Sequence, residues 1–124
     1  MKKFCFLLVA MCFFNFSFSQ SSNNIYDGVW VGKGYQLDAN DSWSIKIKIQ
    51  GDKFNISYPS LNCSGILILE KTEGNKLYFT EKIKTGDCVN NGKLILELIN
   101  PDELRFKWSY TNGEPGSFAT LIRF

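Results

Sequence analysis

The chain has 124 residues, with 14 basic and 12 acidic side chains, 15% aromatic residues and no histidine. Without histidine there is no Ser-His-Asp triad or Cys-His pair of the usual kind, and the commonest metal ligand is missing. A formal net charge of +2 gives nothing like the basic footprint of a nucleic-acid binder.

The chain opens with Lys2 and Lys3, continues through an apolar run of about fifteen residues and reaches Ser17-Phe18-Ser19. A basic start, an apolar stretch and small residues at −3 and −1 of a cut before Gln20 predict a signal peptide over 1–19. The run is shorter than the ~20 residues of a spanning helix. Cys12 follows Met11, where a lipoprotein signal needs a small residue, so lipid modification is not expected. Removing residues 1–19 leaves 12 basic against 12 acidic side chains and two cysteines, Cys63 and Cys88. Residues 20–124 are enough for one domain with a modest core, secreted or periplasmic. No later segment is apolar enough to span a bilayer.

Gly28-Val29-Trp30 starts a first strand over 27–36. Gly32 and Gly34 flank Lys33 without phosphate-loop spacing and are read as allowing a bend in the strand. Asp38, Asn40 and Asp41 lack the spacing and terminal glutamate of a calcium loop, so a polar turn is expected. Trp43, Ile45, Ile47 and Ile49 then alternate with polar residues, Gly51-Asp52 makes a hairpin turn, and Phe54, Ile56 and Tyr58 alternate again. The stretch YPSLNCSG (58–65) leads into a strand over 64–71, with a turn at 73–75. Leu77, Phe79, Glu81 and Ile83 share one face of 76–83. Leu94, Leu96 and Leu98 share one face of 93–99. Beyond 100–103, Leu104, Phe106, Trp108 and Tyr110 alternate with polar residues, and 118–124 forms the last strand.

Regular short strands with tight turns and no helical period indicate an all-β protein. Sequential antiparallel pairing of about eight strands predicts a single up-and-down β-barrel. The meander sorts the loops: 51–52, 72–75 and 100–103 at one end are tight, and most of 38–41, 59–63, 84–92 and 111–117 at the other are longer. Cys63 and Cys88 share the long-loop end. An even cysteine count in an exported chain, with both at one end, predicts a disulfide.

GVWVGKGY (28–35) resembles the G-x-W motif of the calycins, the lipocalin, fatty-acid-binding-protein and avidin group. That resemblance implies a basic residue late in the last strand, here Arg123, packed across Trp30 to close the barrel. YPSLNCSG, FTEKI, the cysteine before NNGKL, LRFKW and TLIR together resemble a small bacterial extracytoplasmic domain. This second likeness speaks to fold and compartment rather than to activity.

Glu81 is the charged residue on an otherwise apolar face. A buried carboxylate needs a partner or a raised pKa. A lysine or arginine across the barrel, or a bulge that turns Glu81 outward, is the plainer reading; a general base or ligand anchor is the functional one. Lys46 and Lys48 read as a solvated outer face. Trp43, Tyr58 and Tyr110 fall at strand ends near the long loops, with Trp108 one layer deeper. Their polar handles suit a pocket rim, and their bulk favours simple plugging. The expected function is a secreted, non-catalytic binding domain, its ligand a small apolar or aromatic molecule at the mouth. The alternative is a filled-barrel protein-interaction or structural module for an exported or cell-envelope partner. A cavity of ~300 Å³ or more favours the first. No enzyme activity, cofactor, metal or nucleic-acid partner is expected.

Overall fold

The structure, a computed structural model, describes residues 24–37 and 41–124. The expected signal peptide, the proposed cut before Gln20, and the loop residues Asp38 and Asn40 lie outside the described residues. Eight strands form a closed antiparallel barrel in sequence order: β1 (Gly28–Gln36), β2 (Asp41–Gln50), β3 (Lys53–Tyr58), β4 (Cys63–Glu73), β5 (Lys76–Thr85), β6 (Lys93–Asn100), β7 (Glu103–Ser109) and β8 (Pro115–Arg123). β8 closes on β1, with Trp30 opposite Arg123 and Tyr35 opposite Phe118. A short 3-10 turn over Pro59–Leu61 is the one departure from strand and loop among the described residues.

Strand parity places the core. Ile45, Ile47 and Ile49 are buried on β2, Leu77, Phe79 and Glu81 on β5, and Leu104, Phe106 and Trp108 on β7. Their neighbours face solvent, because side chains alternate between the two faces of a strand. Phe54 meets Phe79 edge-on at 4.9 Å between ring centroids, in the filled lower part of the barrel. Closure pairs every strand on both sides and leaves no free sheet edge among the described residues.

The glycines of β1, Gly32 and Gly34, sit where neighbouring strands approach closely. A Cβ on Gly32 would lie 2.4 Å from the Thr120 carbonyl oxygen, and one on Gly34 would lie 2.8 Å from Ile45 Cδ1. Both admit close packing against neighbouring strands. Asp41, expected in a polar turn, is instead the first residue of β2, where its Oδ1 accepts from the Ser42 amide at 2.8 Å.

At the tight-loop end the Arg123 guanidinium carbon lies 4.2 Å from the ring centre of Trp30, which is fully buried. The guanidinium donates to the carbonyls of Asp27, Ile25 and Pro101, the last two contacts at 2.9 and 2.8 Å. It thereby ties the segment before β1 to the β6–β7 turn. Trp30 Nε1 donates to the Tyr26 carbonyl at 2.8 Å, so the buried indole keeps its hydrogen bond. Gly28 has φ +138°, and a Cβ there would meet Arg123 Nη1 at 2.9 Å. The glycine of the G-x-W triplet is therefore required both by backbone conformation and by the arginine that covers the tryptophan.

Candidate functional site

The opposite end is held by a covalent staple. Cys63 and Cys88 form a disulfide with 6.1 Å between Cα atoms. It joins the first residue of β4 to the loop after β5. Gly86 permits the approach: its φ is +89°, and a Cβ would come within 2.7 Å of Cys63 Sγ. On the other side, Ser60 in the 3-10 turn is laced to Ser44 on β2. Each serine hydroxyl accepts from the other's backbone amide, both at 3.0 Å. Asn62 takes the left-handed conformation that ends the turn and directs the chain into β4.

Within this frame lies a pocket of about 570 Å³. Trp43, Tyr58, Trp108 and Tyr110, the four aromatics singled out by strand parity and direction, all line it. The structure thus brings the four residues to one place. Leu61 and Val89 stand at the rim, 46% and 55% exposed, on the two loops that the disulfide joins. The mouth is open, against the expectation that such bulky residues would plug it.

Two glycines explain the open mouth. A Cβ on Gly92 would lie 2.2 Å from Trp108 Nε1, and one on Gly116 would lie 2.4 Å from Trp108 Cε3. Each glycine neighbours β7, Gly92 just before β6 and Gly116 on β8. The absence of side chains at both positions lets the indole lie against the barrel wall instead of across the opening. Tyr110 packs edge-on to it at 4.8 Å between centroids.

Glu81 forms the floor. Its side chain points inward and is 1% exposed. Neither a lysine or arginine partner nor an outward bulge is found: the Tyr58 hydroxyl donates to Oε2 at 2.5 Å, and Trp108 Nε1 donates to Oε1 at 3.1 Å. Gly92 takes part here as well, since its carbonyl accepts from the Glu81 amide at 2.8 Å. Burial holds the Glu81 carboxyl above the usual carboxylate range, while the Tyr58 and Trp108 hydrogen bonds pull the other way. Burial first, and then the Glu81 charge and hydrogen bond, push the Tyr58 phenol well above its ordinary value. Tyr58 therefore keeps its proton and serves as donor.

Lys46 and Lys48 are exposed on the outer surface of β2, as expected of a solvated face. Gly92, Gly116, Gln36, Asp87 and Ser117 were not reached by sequence reasoning. The two glycines lie beside or within turns, where glycine is ordinarily read as a turn residue. Among the described residues, no cluster of three His, Cys, Asp or Glu side chains could hold a metal, and no helix is long and apolar enough to cross a membrane. No protein-family model matches the chain, and no match was found among curated proteins.

Proposed function

We propose that the protein is an exported, non-catalytic binding domain of calycin type, which takes a small apolar or aromatic molecule into the long-loop mouth of its barrel. One observation carries this reading: the pocket of about 570 Å³ lined by Trp43, Tyr58, Trp108 and Tyr110. Its size falls within the ~300–1,000 Å³ of small-molecule sites, and beside the aromatics it offers the polar side chains of Gln36, Asn62, Glu81, Asp87 and Ser117 to orient a ligand. The lower barrel is filled, so binding energy comes from the mouth aromatics. The disulfide and the Ser44–Ser60 clamp hold the adjoining loops in place, which lowers the ordering cost of binding. Export is supported by the basic-apolar-small pattern of residues 1–19 and by the disulfide.

The test is titration of intrinsic tryptophan fluorescence with a panel of small apolar and aromatic compounds, repeated with Trp43→Ala and Tyr110→Ala. Saturable binding weakened by both substitutions supports the reading. Saturable binding that neither one affects places the site elsewhere.

A second reading, a protein-interaction module, has its own observation. On the outer surface of β1 and β8, Val31 pairs with Ile122 and Tyr35 with Phe118, and the last three are 40–49% exposed. This apolar stripe faces away from the pocket, so the two readings make separable predictions.

A further inference from the structure

The charged groups of the pocket all have one sign. Two of its lining residues carry charge, Glu81 at the floor and Asp87 on the loop after β5, and both are acidic. Among the described residues no lysine or arginine lines it. The nearest lysines on β5 are directed elsewhere. Lys82 donates to Asn91 Oδ1 at 2.5 Å, and Lys84 lies in a groove on the outer wall with Lys46 and Lys48. The remaining lining includes the rings of four aromatic residues, Trp43, Tyr58, Trp108 and Tyr110. Aromatic faces carry negative quadrupole potential, and aromatic rings together with carboxylates are the chemistry that recognises ammonium groups.

We infer that the mouth pocket selects an organic cation, an amine on an aromatic or aliphatic body, with its ammonium head toward Glu81 and its body against Trp43, Trp108 and Tyr110. The inference rests on the mouth being a ligand site and adds the ligand's charge. Glu81 is well placed for this role. Tyr58 and Trp108 each occupy one lone-pair direction, one on each carboxylate oxygen, and a carboxylate offers about four. Capacity remains on the acceptor side, where only a donor can be satisfied. The carboxylate is 1% exposed, so its charge acts on a ligand mainly as a field in a low-dielectric pocket, where screening is weak. An anionic ligand would face that same field without a compensating cation. A bound ammonium also favours the ionised carboxylate, offsetting the effect of burial.

The experiment compares three probes of similar size against the oxidised protein at about pH 8, where an alkylamine is still protonated. The probes are 2-phenylethylamine, 2-phenylethanol and 3-phenylpropionate, with affinity read by calorimetry. The amine is expected to bind at least roughly tenfold more tightly than the alcohol, and the propionate most weakly. Glu81→Gln, which keeps the side chain's shape, is expected to bring the amine and the alcohol to within about threefold of each other. The wild-type ratios decide the question even if that variant does not fold. Equal binding of amine and alcohol, or tighter binding of the propionate, overturns the inference while leaving a mouth site for neutral or anionic ligands. A preference for the amine that survives unchanged in folded Glu81→Gln overturns the role given to Glu81. No saturable binding by any probe at millimolar concentration counts against both the cation preference and the mouth site.

Discussion

The Tyr58 hydroxyl and the Glu81 carboxylate meet at 2.5 Å inside the barrel although their strands, β3 and β5, are separated by β4. With Trp108 donating from β7, the contact ties three non-adjacent strands at the level where the filled core gives way to the pocket. The barrel thus has a polar layer whose every buried side-chain atom, among the described residues, has a hydrogen-bond partner. A satisfied network of this kind fixes geometry more firmly than apolar packing does, and it fails sharply when one member is removed.

The first prediction concerns pH. Burial raises the Glu81 carboxyl above its ordinary value near 4.5. A group with a raised folded-state pKa contributes stability that is fully present below the unfolded value and is lost as pH rises through the folded value. Wild-type stability should therefore fall relative to Glu81→Gln as pH rises above the ordinary carboxyl value near 4.5. Urea midpoints measured at a series of pH values from there upward check it; parallel curves for the two proteins would show that Glu81 does not titrate differently in the folded state.

The second prediction concerns barrel closure. Arg123→Ala removes the cation from the Trp30 face and three hydrogen-bonded carbonyl partners. It should lower stability by about 1–3 kcal/mol without abolishing ligand binding at the far end. Arg123→Lys should recover only part of the loss, because an ammonium cannot bridge the same set of carbonyls in one plane. An unchanged denaturation midpoint for Arg123→Ala would refute the closing role.

A third prediction follows from the disulfide. Reduction, or the double substitution Cys63→Ser and Cys88→Ser, opens a 25-residue loop and should cost about 3 kcal/mol in the chain-entropy model. Intact-mass measurement with and without reductant establishes the bridge in protein taken from its native compartment. Two freely alkylatable thiols there would contradict it.

Gly116→Ala supplies a fourth. The new methyl group meets the Trp108 ring, which lies 2.4 Å from the ideal Cβ position. Relief requires the indole to move toward the opening, so stability should drop by about 1–3 kcal/mol and the tryptophan emission should shift. A variant with wild-type midpoint and wild-type emission would mean that the wall position of Trp108 does not depend on Gly116.

Much of this architecture is legible in the residues because one face of each strand is buried. A one-residue slip would exchange core and surface, so the alternation of Ile45, Ile47 and Ile49 or of Leu104, Phe106 and Trp108 announces both strand and face. Strand direction then brings Trp43, Tyr58 and Tyr110 to one end. The partners of Glu81 were not legible. They depend on how far each strand is staggered, and that is adjusted by register shifts at Ser64/Gly65 and Trp108/Ser109, for which no sequence signal was found. Nor was the open mouth. It depends on what Gly92 and Gly116 lack, and a missing side chain beside a loop reads first as a turn.

A small-ligand site at the long-loop mouth can be located by mapping amide chemical shifts of the isotopically labelled, oxidised protein against the tightest binder found. Perturbations are expected to concentrate on Tyr58–Cys63, Glu81–Gly92 and Trp108–Ser117, with β1 and β8 quiet around Val31 and Ile122. Perturbations centred on Val31, Tyr35, Phe118 and Ile122 instead, with Tyr58 and Trp108 unmoved, would contradict a site at the mouth.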